Sequence, residues 1–210
     1  MIIIPFAEIL APGNLKNIHD CLYGNGVIAY PTDTLYGLGG NFFSMAVMQK
    51  IDVMKKRHDL PYSVAVGSLG MLEALVAEIP DIFYNRLQKL LPGKFTFLFK
   101  PNSTIAPALL KNSERIGIRL PSLPLLLRLI ETMELPWIST SVNRSGHPPL
   151  NDPAQIAREF SDIDLLIDGG VLPASPGSTL VDVTATPPRI IRRGADLEKI
   201  MAILDNDLEE

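Results

Sequence analysis

At 210 residues the chain is long enough for one domain with a substantial core, a size at which roughly 70% of the unfolded surface is buried. Its 47% hydrophobic and 20% charged residues exclude a disordered or collagen-like polymer. The net charge of −4 comes from Asp205, Asp207, Glu209 and Glu210 at the extreme C-terminus; without those four, acids equal bases at 19. The body therefore lacks the broad positive field of a duplex nucleic-acid binder, and any phosphate chemistry has to be local.

In chain order, Met1-Ile2-Ile3-Ile4-Pro5 carries no basic leader, which predicts no secretory signal and a cytoplasmic compartment. Leu15, Ile18, Cys21 and Leu22 recur at helical spacing, with Asn14 as the expected N-cap and Gly24-Asn25-Gly26 as the stop. Cys21 is the only cysteine, and with 3 histidines neither an internal disulfide nor a structural metal centre is expected. Val27–Tyr30 reads as a buried strand, then a turn-rich loop ends in Gly37-Leu38-Gly39-Gly40 and a helix runs from Ser44 to Lys56. Strands are predicted at 62–66, 94–100, 116–119, 137–139, 165–167, 179–183 and 189–192, and helices at 69–77, 81–91, 124–131, 153–160 and 197–204. Asp152 and Asp196 are the expected caps of the last two helices, and Pro124 and Pro153 fit first-turn positions. Leu123–Ile130 is the longest greasy stretch, but Arg128 interrupts it and it falls far short of the ~20 residues of a membrane helix. The alternation predicts an α/β fold around a central sheet, and the close strand pair near the C-terminus predicts that the sheet is mixed.

No phosphate-binding glycine loop, dinucleotide fingerprint, paired-histidine helix or serine elbow is present. Four polar clusters remain. Tyr30-Pro31-Thr32-Asp33-Thr34-Leu35-Tyr36 places hydroxyls and a carboxylate at the end of a strand, where α/β proteins bind ligands, although composition alone favours a turn with its own cap. Lys55-Lys56-Arg57-His58 closes a helix. It reads as a solvated, dipole-stabilised end, or as two cations aimed at one phosphate if the chain leaves helix there. Ser141 and Asn143 in Ser139-Thr140-Ser141-Val142-Asn143 share one face if extended and could bind phosphate, ribose or a carbonyl; a serine-rich turn is the alternative. Gly177-Ser178-Thr179 and Arg189–Arg193 combine close backbone approach with anion-pairing arginines, against a plainer reading of solvated arginines. Arg119, ending the apolar strand Ile116-Gly117-Ile118, needs a partner because it sits beside a core.

Taken in order, Tyr30–Gly39, Lys55-x-Arg57, Ser141-x-Asn143-x-Ser145-Gly146 and Gly177-Ser178-Thr179-Leu180-Val181-Asp182 resemble the YrdC-like family, over residues 14 to about 195. The resemblance implies an α/β fold whose twisted mixed sheet and flanking helices surround a concave, positively lined cavity. It reads residues 1–210 as one domain of the short form, with an acidic tail at 205–210. It also implies a nucleotidyltransferase, a threonylcarbamoyl-AMP synthase that makes threonylcarbamoyl-AMP and pyrophosphate from ATP, L-threonine and bicarbonate. A partner transferase would pass the product to tRNA. In this reading Lys55 and Arg57 stabilise the triphosphate, Ser141 and Asn143 orient the nucleotide and Arg192 contacts it. Arg119 takes the threonine carboxylate, while Thr32, Thr34 and Ser178 line the amino-acid pocket. Magnesium is expected with ATP, and no residue stands out as a general base.

The segment His58-Asp59-Leu60-Pro61-Tyr62 is shorter and differently charged than the family's usual Pro and Lys-Pro-Leu element. Pro92–Lys100 and Ser139-Thr140-Ser141 are similar to a paralogous branch of the family. Two readings therefore stand beside the synthase: a paralogue with another nucleotide-dependent activity, and a non-catalytic RNA-binding module.

Overall fold

The structure, a computed structural model, describes residues 1–57 and 60–205. His58, Asp59 and the acidic tail from 206 onward lie outside the described residues. The strands are β1 (Ile2–Pro5), β2 (Ile28–Pro31), β3 (Tyr36–Gly39), β4 (Ser63–Ala65), β5 (Phe95–Phe99), β6 (Ile116–Arg119), β7 (Trp137–Ser141), β8 (Leu165–Asp168), β9 (Thr179–Asp182) and β10 (Arg189–Arg192). The helices are α1 (Pro12–Tyr23), α2 (Met45–Lys55), α3 (Leu69–Leu75), α4 (Asp81–Leu90), α5 (Pro124–Thr132), α6 (Pro153–Glu159) and α7 (Leu197–Asp205). Short 3-10 turns cover Phe6–Glu8 and Pro107–Leu110.

The ten described strands form one sheet in the order β1-β8-β2-β3-β7-β4-β6-β5-β9-β10. Pairing is mixed as expected: β1/β8, β2/β8, β4/β6 and β5/β9 are parallel, while β2/β3, β3/β7, β4/β7, β5/β6 and β9/β10 are antiparallel. Side chains alternate across this sheet. Val27, Ala29, Val64, Val66, Ile138 and Leu166 belong to one buried cluster with residues of α2, α3, α4, α6 and α7. Ile28, Tyr30, Ala65, Trp137, Leu165 and Ile167 belong to a second with residues of α1 and α5. Tyr30 and Trp137 meet edge-to-face at 5.2 Å, a contact worth about 1 kcal/mol beyond the area buried. Among the described residues no helix is long and apolar enough to cross a membrane.

Local chemistry explains most boundaries. Ser44, Ser68 and Asp152 each accept a first-turn N–H of α2, α3 and α6. At the first helix the expectation needs correction: α1 starts two residues before Asn14, because Pro12 with its fixed φ occupies the first turn. Asn14 Nδ2 instead donates to the Glu8 carbonyl at 2.9 Å. Tyr36–Gly39, expected to be loop, is a strand in register with β2 from Pro31↔Tyr36 to Ile28↔Gly39. Its glycines serve close approach rather than a turn: a Cβ on Gly39 would lie 1.9 Å from the Ile138 carbonyl oxygen, and one on Gly37 2.7 Å from the Tyr30 ring. The edge strand β1, pairing in parallel with β8, is also additional to the sequence reading.

Candidate active site

The turn between β2 and β3 is organised by Thr32. Its hydroxyl donates to the Leu35 carbonyl at 2.6 Å and accepts the N–H groups of Thr34 and Leu35 at 3.2 Å. Thr32 is thus the turn-maker that composition alone suggested. Asp33, with its side chain only 4% exposed, reaches across to the end of β6. Its carboxylate accepts from Arg119 Nη2 at 2.5 Å, from Ser122 N at 2.9 Å and from Ser122 Oγ at 3.0 Å. Arg119, itself 9% exposed in the side chain, also donates to Thr34 Oγ1 at 3.3 Å. The partner that a charge beside a core demands is therefore Asp33. Tyr36 Oη donates to the Gly170 carbonyl and accepts from Gly169 N, both at 2.9 Å, which ties the chain after β8 to this turn. Burial pushes that phenol up to about 12.

Helix α2 ends because Lys56 takes a left-handed conformation, φ 51°. The chain turns sharply there, and the two neighbouring cations go different ways. Lys55 is 2% exposed; its ammonium donates to the Ser141 carbonyl at 2.5 Å, the Asn143 carbonyl at 3.0 Å and Asn143 Oδ1 at 2.8 Å. Burial, and secondarily the charge of Arg57, pull its pKa down to about 8, which leaves it mostly cationic at neutral pH. Asn143 is fully engaged. Its Oδ1 also accepts from Ser141 Oγ at 2.7 Å, and its Nδ2 donates to the His147 carbonyl at 2.7 Å and the Arg144 carbonyl at 3.1 Å. Lys55 and Asn143 therefore staple the end of α2 to the segment leaving β7.

At the other wall, Arg192 of β10 donates through Nη2 to the Ser178 carbonyl at 2.9 Å and to Ser178 Oγ at 3.1 Å. Ser178 Oγ also lies 2.7 Å from Thr96 Oγ1 on β5. Gly177, at φ 79°, supplies the left-handed bend that brings this backbone inward. Burial, with the charge of Arg119, lowers the pKa of the Arg192 guanidinium.

These elements enclose a cavity of about 370 Å³, lined by Thr34–Gly37, Arg57, Pro61, Tyr62, Ser63, Thr96, Arg119, Ser139–Ser141, Pro149, Pro176–Ser178, Leu180 and Arg192. The volume suits a small molecule. Among the described lining residues the only charged side chains are Arg57, Arg119 and Arg192. Arg57 Nε and Arg119 Nε are buried N–H groups without a hydrogen-bond partner among the described residues. An anion is the ligand that would satisfy such groups.

Of the residues singled out in the sequence, Thr34, Arg57, Arg119, Ser141, Ser178 and Arg192 come together on the cavity wall. Thr32, Lys55 and Asn143 do not; they stand behind it, holding the turn and the β7 segment. Lys55, expected at the triphosphate beside Arg57, here donates to oxygens of the chain and does not line the cavity. Sequence reasoning passed over Thr96, Tyr62, Ser139 and the pairing role of Asp33. The one usable signal was Thr96, a lone hydroxyl inside the apolar run Phe95–Phe99.

The class is a mixed-sheet α/β domain whose cavity is lined by three arginines and, among the described residues, by no carboxylate. Comparison with known proteins gives its kin: the model of the Sua5/YciO/YrdC family, described as "Telomere recombination", matches residues 20–194, and the chain belongs to that family. The threonylcarbamoyl-AMP synthase of Pyrococcus abyssi is 32% identical over 182 residues, 85% of this chain and 53% of that protein. The chain thus spans about half the length of this relative. The structure of P. abyssi Sua5 complexed with L-threonine superposes with a TM-score of 0.87 at 28% identity, over 96% of this chain and 60% of that one. Escherichia coli YciO superposes with a TM-score of 0.79 at 26% identity, over 92% and 94%.

Proposed function

We propose that this protein is an L-threonylcarbamoyladenylate synthase, acting in the cytoplasm. The observation that carries the reading is the cavity itself: three arginines, hydroxyls at several points of the wall and, among the described residues, no carboxylate, in a chain similar in sequence and fold to a relative of that name. In the proposed reaction the threonine amine and bicarbonate give the carbamate and water. A carbamate oxygen then attacks the α-phosphorus of ATP, and pyrophosphate leaves. Arg119, oriented by Asp33 and flanked by Thr34, takes the threonine carboxylate. Arg57 and Arg192 offset charge on the phosphates, and Ser141 and Ser178 offer hydroxyls to the nucleotide and the carbamate. Among the described residues no side chain on the wall is placed as a general base, so these residues contribute mainly alignment and charge. Magnesium would arrive on the triphosphate: among the described residues no group of three His, Cys, Asp or Glu side chains could hold a metal, and magnesium commonly rests on substrate phosphates. The product would pass to a partner transferase that modifies tRNA.

The test is pyrophosphate release by purified protein given ATP, magnesium, L-threonine and bicarbonate, each omitted in turn. Release that requires both threonine and bicarbonate supports the synthase; release indifferent to threonine refutes it. A second reading, a paralogue acting on another carbamate-like substrate, is favoured by the near end-to-end likeness to YciO. Nucleotide binding without threonine dependence would select it.

A further inference from the structure

Arg57 needs something to aim it. It lies just beyond the end of α2, where Lys56 at φ 51° turns the chain away from the helix. Its backbone N–H bonds back to the Asp52 carbonyl at 3.0 Å. Its side chain donates through Nη2 to the Pro61 carbonyl at 3.0 Å and lies over the Tyr62 ring, 5.1 Å from the centroid. Tyr62 lines the cavity, is 6% exposed and is itself anchored, its hydroxyl donating to Asp52 Oδ1 at 2.5 Å. Lys111 binds the same Asp52 oxygen at 2.5 Å and sits 4.8 Å from the same ring. Asp52 therefore holds Arg57 twice, through its carbonyl directly and through its carboxylate by way of the tyrosine.

From this geometry we infer that Tyr62, tethered by Asp52 and Lys111, is the positioning residue for Arg57 in the cavity. The inference rests on the reading of Arg57 as a phosphate-binding cation. A ring face attracts a guanidinium without neutralising it, so an arginine held this way keeps its charge for the ligand. A carboxylate in the same place would compete with an incoming anion. The tyrosine hydroxyl is fully committed to Asp52, and burial together with that carboxylate raises the phenol's pKa, so it does not act as an acid or base near neutral pH. Lys111 compensates the Asp52 charge, which keeps a lone carboxylate from drawing Arg57 out of the cavity.

The experiment titrates inorganic tripolyphosphate into wild type, Tyr62→Leu, Tyr62→Phe, Arg57→Ala and the Tyr62→Leu/Arg57→Ala double variant by calorimetry. Circular dichroism checks the fold of each. Tyr62→Leu is expected to weaken binding roughly 3- to 30-fold, the range of a partly desolvated cation–ring contact. Tyr62→Phe, which keeps the ring and loses the tether, should weaken it by less, and it serves as the test if the leucine variant does not fold. Tyr62→Leu should have no effect in the Arg57→Ala background, and in turnover it should raise the KM for ATP while sparing that for threonine. Binding that depends on Arg57 but not on Tyr62, or an equal Tyr62→Leu effect with and without Arg57, would overturn the inference and leave the phosphate site standing. Wild type indifferent to tripolyphosphate would overturn both.

Discussion

Replacing Asp33 by alanine strips Arg119 of its countercharge while leaving the guanidinium where it is. The side chains are 4% and 9% exposed, so water cannot readily take the place of the carboxylate. Breaking one side of a buried ion pair costs about 3–5 kcal/mol. The same change removes the acceptor for Ser122 N and Oγ, so the upper part of that range is expected, against a total stability of about 5–15 kcal/mol for a domain. Asparagine does not rescue it fully. One amide oxygen can still accept, but the NH2 must then face either the Ser122 N–H or Arg119, so Asp33→Asn should cost about 2–4 kcal/mol. Urea unfolding followed by the fluorescence of Trp137, the sole tryptophan, measures both. Arg119→Met combined with Asp33→Ala should cost at least about 2 kcal/mol less than the sum of the singles, because the stranded charge is gone. A loss below about 1 kcal/mol for Asp33→Ala, or simple additivity in the cycle, would refute the claim that Asp33 exists to hold Arg119.

Other buried groups give further outcomes. With the pKa of Lys55 depressed to about 8, the unfolded chain binds the extra proton at alkaline pH, so the contribution of Lys55 to stability rises with pH and is lost as pH falls through about 8. The stability of wild type relative to Lys55→Met should accordingly improve by about 2 kcal/mol between about pH 7.5 and about pH 10, read by urea titrations at each pH; a flat difference would show that burial does not depress this pKa. Burial pushes the Cys21 thiol up to about 11, and alkylation by iodoacetamide at about pH 8 should be roughly 100-fold slower in the folded than in the urea-unfolded protein. Equal rates, read by mass spectrometry, would refute this. Arg119→Met should raise the KM for threonine by roughly 10- to 100-fold, the loss of a charge-assisted hydrogen bond, and an unchanged KM would take the carboxylate away from Arg119.

The strands and helices with strong patterns were legible. Ile116–Arg119 and Arg189–Arg192 appear with the predicted ends, because an apolar run bounded by turn residues has few other solutions. What failed did so where glycine or proline carried two meanings. Gly37 and Gly39 read as loop formers, yet here they let β3 lie against Tyr30 and the Ile138 carbonyl; only the neighbour's position tells the two uses apart. Pro12 claimed the helix start that Asn14 advertised. At the site, residue types were readable but directions were not. Lys55 and Arg57 are two apart, and a single left-handed residue between them sends one into the protein and the other to the cavity.

That divergence bears on how the cavity keeps its charge. Arg119 is the deeper arginine and is held by a carboxylate, which fixes its geometry and lessens its field. Among the described residues Arg57 is held by a carbonyl and a ring, which fix its geometry and leave its field intact. The two arrangements match the two kinds of anion in the proposed reaction. A threonine carboxylate bears one charge and needs orientation, whereas a triphosphate bears several and needs charge offset as pyrophosphate departs. If the assignment of the two arginines were reversed, Asp33 would stand beside the triphosphate and oppose it. Asp33→Asn should then tighten tripolyphosphate binding instead of leaving it nearly unchanged. The same titration that tests Tyr62 therefore also decides which arginine faces which substrate.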